Sequence, residues 1–88
     1  MGSWTANYDG NEIRIECPWF SCDKLFVNNK LQDEKGGLSG LFSTELTGHV
    51  VSNDGEKKPV KARLWGGWFA AECRLFIDDE KVEVVKVS

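Results

Sequence analysis

Apolar and polar residues alternate along this chain over short stretches. Residues 12–17 (EIRIEC) place isoleucine and cysteine on one face and charged side chains on the other, and residues 60–64 (VKARL) repeat the alternation. A period of two predicts strands with one buried face. No stretch shows the period of an amphipathic helix of useful length. The same reasoning places the other strands at 4–8, 24–27, 30–34, 41–47, 49–52, 68–77 and 81–87.

Turn signals separate these strands every 8–12 residues. Asn28-Asn29 suits a type I′ turn because asparagine tolerates positive φ, and Asp54-Gly55 lies between two alternating segments. Many short strands joined by such turns are typical of sandwiches and small barrels. We therefore expect one all-β domain over residues 1–88, an antiparallel β-sandwich or closed barrel of about eight short strands.

An internal repeat organises the chain. Residues 12–34 and 60–87 each contain an alternating strand, a Trp-Phe pair and a hairpin. In the repeat, Trp19-Phe20 corresponds to Trp68-Phe69, and the segment 24–29 (KLFVNN) corresponds to 74–79 (RLFIDD). The repeat predicts two similar hairpins that pack on each other.

The repeat also predicts core residues. Two apolar side chains in each hairpin are expected to be buried, namely Phe26, Leu31, Phe76 and Val82. Burial of Phe76 requires a three-residue turn at 78–80. A two-residue turn would instead pair Leu75 with Val82 and turn Phe76 to the opposite face, because a shift of one residue exchanges the faces of a strand.

Composition and charge exclude several classes of protein. Of the 88 residues, 41% are apolar, including four Trp and five Phe, so the chain is not a disordered tail. The net charge of −3 argues against a surface that reads phosphates, so no nucleic-acid partner is expected. No apolar run is long enough to span a bilayer, and no membrane partner is expected. Residues 1–7 lack the pattern of a signal peptide, which favours a cytoplasmic location.

Three cysteines, Cys17, Cys22 and Cys73, cannot all pair within one chain. A reducing compartment predicts three thiols, with Cys17 and Cys73 buried. One disulfide with a remaining thiol is the second interpretation. The cysteines and His49 would also make a Cys₃His zinc set, but the spacing lacks a Cys-x-x-Cys knuckle. We expect no cofactor and no bound metal.

The residues predicted to bind a partner are aromatic and basic. Trp65 follows the inward Leu64, shares the outward phase of Arg63, and precedes Gly66-Gly67. Exposed aromatic side chains beside glycines can anchor a partner. The predicted binding residues are Trp65, Trp68, Trp19 and Arg63. Trp65→Ala is expected to weaken binding more than folding, unless the glycines turn Trp65 back onto the core.

Enzyme motifs are absent, including a nucleophile elbow, a phosphate loop and a zinc-protease motif. We therefore expect a non-enzymatic module that binds a protein partner as an adaptor, an inhibitor or a self-associating subunit. A carbohydrate-binding sandwich with an exposed Trp platform is one alternative. A small metal protein that uses cysteine and His49 is another.

The layout of the chain resembles the β-sandwich domain of the Fas apoptotic inhibitory molecule family. The resemblance spans most of the chain and includes Trp4, Asp9-Gly10, the strand 12–16, the hairpin 25–30, the segment 45–48 and the strand pair 75–82. The chain departs from the family in its Asn-Asn and Asp-Asp turns, where the family tends to Asp-Gly, and in its Trp-Phe pairs. The resemblance implies a non-enzymatic β-sandwich that acts through partners, and it carries over no site residues.

Overall fold

The structure is a computed structural model that describes residues 2–17, 23–35, 44–66 and 71–87, with residues 65, 66 and 71 described as backbone. Within these residues the chain forms nine strands: β1 (Gly2–Tyr8), β2 (Asn11–Cys17), β3 (Asp23–Val27), β4 (Lys30–Lys35), β5 (Thr44–Val51), β6 (Lys57–Gly66), β7 (Ala71–Ile77), β8 (Glu80–Val82) and β9 (Val85–Lys86). No helix that is long and apolar enough to cross a membrane occurs in the described part of the chain.

Two antiparallel sheets face each other. The first sheet has the strand order β4-β3-β2-β1-β9, and the second has the order β5-β6-β7-β8. The predicted all-β sandwich is confirmed, and the two sheets do not close into a barrel. The single strand expected over 81–87 is instead divided between the sheets, because β8 pairs with β7 whereas β9 pairs with β1.

Each sheet contains a four-stranded meander, β1–β4 in the first and β5–β8 in the second. Arg14 pairs with Phe26 in the first meander, and Lys61 pairs with Phe76 in the second. On the other side of each phenylalanine, Leu31 and Lys81 are equivalent. Both predicted hairpins form, and β1 and β5 extend the repeat. The hairpins lie in different sheets, and the first packs on β5 of the second sheet. The repeated Trp-Phe pairs at 19–20 and 68–69 lie outside the described residues.

Two-residue turns set the register of both hairpins. Asn28 and Asn29 have φ values of 52° and 66°, and Asp78 and Asp79 have values of 54° and 64°. Positive φ at both central residues is the requirement of a type I′ turn, which asparagine and aspartate meet at low cost. The predicted turn at Asn28-Asn29 is confirmed, and its counterpart at Asp78-Asp79 has two residues rather than three.

The core lies between the sheets and is built from the inward side chains of the alternating strands. Its buried members are Trp4, Ala6, Ile13, Ile15, Cys17, Leu25, Val27, Leu46, Val50, Val60, Ala62, Leu64, Leu75 and Ile77. The inward phase predicted for residues 12–17 and 60–64 is therefore confirmed. Burial of these side chains removes apolar surface from water, which supplies most of the stability of such a fold.

Three of the four core residues predicted for the two hairpins, Phe26, Leu31 and Phe76, are not in the core. Phe26 and Phe76 are half-buried on the outer faces of the sheets, and Leu31 is 51% exposed. Val82 is half-buried against the core, opposite Leu75. The two-residue turns place the leucine and the β-branched residue of each hairpin inward, which leaves the phenylalanine outward.

A bulge in β4 closes one side of the sandwich. Gln32 is the extra residue between the Phe26–Leu31 and Leu25–Asp33 pairs. The bulge allows Asp33 Oδ2 to accept a hydrogen bond from the backbone N–H of Thr47 on the edge of the second sheet, at 2.8 Å. Strand β5 runs without interruption through Gly48, where the sequence predicted a break. A Cβ at Gly48 would lie 3.0 Å from Cβ of Gln32, so a side chain would interfere with this contact.

Candidate binding surface

The outward side chains of the second sheet form a surface that is basic at its centre. Val60, Ala62 and Leu64 point inward, so Lys61 and Arg63 point outward. We call the outward side chains of β5–β8 the second outer face. They comprise Glu45, Thr47, His49, Val51, Lys57, Pro59, Lys61, Arg63, Glu72, Arg74, Phe76 and Lys81. Five are basic and two are acidic, in a chain whose net charge is −3.

Phe76 lies at the centre of this face between two lysines. Lys61 on β6 and Lys81 on β8 are its direct cross-strand neighbours. Each is one strand spacing away, about 4.8 Å at the backbone. Neither lysine belongs to an ion pair among the described residues. A half-buried ring between two unneutralised amines can contact an apolar group and a negative charge together.

A groove runs beside the ring of Phe76. It has a volume of about 250 Å³, and the residues that line it include Pro59, Lys61, Phe76, His49 and Asp79. The outer face of β5–β8 is not covered by another strand among those described, because the first sheet packs on the opposite side. The groove and the lysines are therefore accessible together.

The first meander satisfies the equivalent charges internally. The guanidinium carbon of Arg14 lies 4.5 Å from the centre of the Phe26 ring. The same guanidinium is 3.1 Å from Glu16 through Nε and donates to Asn29 Oδ1 at 3.0 Å through a terminal nitrogen. A cation over an aromatic ring is stabilised by the ring quadrupole. Phe26 is thus covered by a side chain of its own sheet.

At two positions the second meander has a basic residue where the first has an acidic or an apolar one. Arg63 occupies the position of Glu16, and Lys81 occupies the position of Leu31. Arg63 faces Arg74 directly across the strands, and like charges in this position are unfavourable. The Arg63 Nε atom is 3.4 Å from Glu45 Oε2, and its side chain remains 64% exposed. An exposed pair of this kind contributes little to stability, so Arg63 stays available to a ligand.

The structure places only part of the predicted binding set. Arg63 is on the second outer face, as expected. Trp65 lies in β6 opposite Glu72, and its side chain lies outside the described part of the chain. Trp19 and Trp68 also lie outside the described residues, so the predicted Trp platform remains a prediction. Trp4 belongs to the core and is 4% exposed.

Sequence reasoning missed Phe76, Lys61 and Lys81 as a group. Phe76 was predicted to be buried, and neither Lys61 nor Lys81 was among the predicted binding residues. A two-residue turn at Asp78-Asp79 predicts this group, because it points Phe76 outward and places Lys81 directly opposite Phe76.

The cysteines and histidine do not form a common site within the described residues. His49 is on the second outer face, whereas Cys17 and Cys73 point inward and are present as thiols. Cys17 is buried as predicted, but Cys73 is only half-buried, at a groove that Trp4 and Val82 also line. The described part of the chain contains no group of three side chains that could hold a metal ion. Cys22 lies outside it.

Burial controls the chemistry of Cys73. Loss of hydration disfavours the thiolate and, with a smaller contribution from nearby Cys17, raises the pKa of the Cys73 thiol to about 12. A thiol with this pKa is a poor nucleophile and a poor metal ligand at neutral pH. The half-buried position therefore gives the thiol access to the groove without making it reactive.

Comparisons with protein-family models, with curated proteins and with solved structures found no match to this chain. The resemblance to the Fas apoptotic inhibitory molecule family therefore remains a prediction. The chemistry of the second outer face is the basis for the functional conclusion.

Proposed function

We propose that the protein is a non-enzymatic binding module that contacts a protein partner through the second outer face. The observation that carries this proposal is the ring of Phe76 between Lys61 and Lys81, beside an open groove. Aromatic side chains are enriched at protein interfaces, where they act as anchors. The equivalent ring in the first sheet, Phe26, is covered by Arg14 and lacks this character.

Two lysines of the second outer face are not used in an ion pair of the fold. Lys61 and Lys81, on either side of Phe76, belong to no ion pair among the described residues. The first meander shows that the same architecture accommodates a paired arrangement, with Arg14 held by Glu16. Lysines that form no such pair beside an aromatic ring are explained if they contribute to recognition.

The predicted role of Trp65 fits this proposal. Its backbone lies two residues beyond Arg63 on β6, next to the end of the strand. A contact surface centred on Phe76 would extend towards this position. We keep the expectation that Trp65→Ala weakens binding more than folding.

A photo-cross-linking experiment tests the proposal. Benzoylphenylalanine is introduced at position 76, and the matched control carries it at position 26, which is equivalent in the first sheet. We expect position 76 to form a discrete adduct in an extract of the source cells, and Lys61→Glu to abolish it. The adduct mass separates a different partner from a second copy of this chain.

Two results would contradict the proposal. Adducts of equal yield from positions 26 and 76 would show nonspecific contact. A discrete adduct from position 26 alone would place the interface on the first sheet. Circular dichroism and thermal unfolding of both labelled proteins verify that each is folded.

A further inference from the structure

The arrangement of charge around Phe76 indicates the chemistry of the partner, an inference that rests on the proposed function. We propose that the second outer face selects an acidic segment of a protein, one in which carboxylates flank an apolar or aromatic side chain. The apolar side chain packs on Phe76 and Pro59, and the carboxylates pair with Lys61 and Lys81.

The spacing of the lysines fits an extended peptide. Lys61 and Lys81 are separated by two strand spacings, about 10 Å at the backbone. In an extended segment, the residues two before and two after a central side chain lie on its face and are about 13 Å apart. The flexible four-carbon stems of the lysines cover this difference. One central side chain can therefore contact Phe76 while both flanking carboxylates are paired.

Charge complementarity favours an acidic partner over a basic one. Four basic side chains lie on the same face around the ring, namely Lys61, Arg63, Arg74 and Lys81. Of the two acidic residues on this face, Glu45 already contacts Arg63, and Glu72 lies at the end of the face. Asp79 also lines the groove, and its carboxylate limits the number of negative charges that a ligand can place there. A segment with a few spaced carboxylates meets the cations without crowding these acids.

The overall charge of the chain disfavours dense polyanions. The net charge is −3, so the rest of the surface repels a nucleic acid or a sulfated polysaccharide that extends beyond the face. At physiological salt the screening length is about 8 Å, and a short acidic segment on this face interacts mainly with its cations. The apolar surface of Phe76 and Pro59 adds a contact that phosphate or sulfate groups alone do not use.

Fluorescence anisotropy with four labelled probes tests the inference. The probes are poly-glutamate, a copolymer of glutamate and tyrosine of the same length, heparin, and a single-stranded oligonucleotide. We expect saturable binding of the copolymer, tighter than that of poly-glutamate by about fivefold because of the aromatic contact. Phe76→Leu should reduce that difference.

Matched charge variants separate the lysines beside Phe76 from general electrostatics. Lys61→Gln with Lys81→Gln should weaken binding of the copolymer by about fivefold. Lys30→Gln with Lys35→Gln removes the same charge from β4 of the first sheet and should change binding by less than about twofold. Thermal unfolding of each variant checks that it is folded.

Each other outcome overturns the inference. Equal loss in the two double variants would show that the lysines beside Phe76 are not selective. Tighter binding of heparin or of the oligonucleotide would assign the surface to a different class of ligand. The inference of an acidic segment is also wrong if no probe binds, or if Lys61→Gln with Lys81→Gln leaves the adduct at position 76 unchanged. In either case the protein-binding proposal is still tested separately by the cross-link.

Discussion

The outer faces of the two meanders share one backbone plan but differ in how their charges are satisfied. In the first, Arg14 covers Phe26 and is held by Glu16 and Asn29, and Lys24 lies 4.0 Å from Glu34. In the second, Phe76 has a lysine on either side, and Arg63 stands where the first meander has a glutamate. The first face places its arginine on the ring and beside a carboxylate of its own sheet, whereas in the second the two lysines beside the ring belong to no ion pair among the described residues.

The comparison shows which part of a repeat serves the fold. Inward positions of the hairpins keep an apolar character in both meanders: Leu25 and Val27 in the first correspond to Leu75 and Ile77 in the second, and all four are buried. The inward pair Asp23 and Cys73 is an exception. The outward positions diverge in charge because they are not constrained by packing between the sheets. Divergence of charge on the outer face is expected if one half provides recognition and the other does not.

The largest expected effect is a slow rate of alkylation at Cys73. Cys73 occupies the inward position of the second meander that corresponds to Asp23 in the first. With a pKa of about 12, Cys73 should have a thiolate fraction at pH 8 about 1,000-fold below that of an ordinary thiol. Alkylation followed by peptide mass spectrometry should show slow labelling of folded Cys73 and fast labelling in denaturant. Fast labelling in the folded protein would contradict its burial.

The same shift gives a pH dependence of stability. The folded pKa of Cys73 lies above the ordinary value of 9.0, so the folded state holds the proton more tightly. Stability should therefore be unaffected below about pH 9 and fall as the pH rises towards 12. Cys73→Ser should show a smaller fall over this range, in denaturant curves measured at each pH.

Core substitutions should separate the inward and outward sides of each hairpin. Leu25→Ala and Leu75→Ala are each expected to reduce the free energy of unfolding by about 2–5 kcal/mol, because both leucines are fully buried. Phe26→Ala and Phe76→Ala remove half-buried rings and should cost about 1 kcal/mol. Urea denaturation measures all four. A larger loss for Phe76→Ala than for Leu75→Ala would show that the hairpin has been assigned the wrong face.

The cation beside each phenylalanine should matter to folding in the first meander only. Arg14→Ala removes the contact with Phe26 and the pair with Glu16, and should destabilise the fold by about 1 kcal/mol. Lys61→Ala should change stability by no more than about 0.5 kcal/mol. Equal losses from the two substitutions, in matched denaturation curves, would remove the difference between the faces.

Replacing two residues of the second outer face by their counterparts from the first meander is expected to have the smallest effect on the free energy of unfolding. The double change Glu45→Ser with Arg63→Glu reproduces Ser3 and Glu16 of the first meander and places a carboxylate opposite Arg74. Stability should rise by about 0.2–1 kcal/mol, and capture of the partner at position 76 should fall. A destabilised double variant would contradict the equivalence of the two halves.

The strands, the Asn28-Asn29 turn and the inward phase of β2 and β6 could be predicted because each depends on local alternation or turn chemistry. The face of Phe76 could not, since leucine and phenylalanine are equally apolar and only the length of the Asp78-Asp79 turn distinguishes them. The bulge at Gln32 follows from contacts between sheets, which the sequence does not encode locally.

The candidate site divides in the same way. Arg63 was found by its outward phase on one strand. Lys61, Phe76 and Lys81 become a group only when the register of three strands is known. A site assembled across strands is invisible to a search for motifs along the chain, because its members are separated by whole turns and loops.

The central claim is that the second outer face makes the contact and the first does not. Chemical-shift mapping of the ¹⁵N-labelled protein, with the cross-linked partner or the glutamate–tyrosine copolymer, compares four equivalent pairs of positions directly. We predict that the perturbed residues are Thr47, Lys61, Phe76 and Lys81, with little change at their counterparts Thr5, Arg14, Phe26 and Leu31. Perturbations centred on the first meander, at Thr5, Arg14, Phe26 and Leu31, would contradict the account.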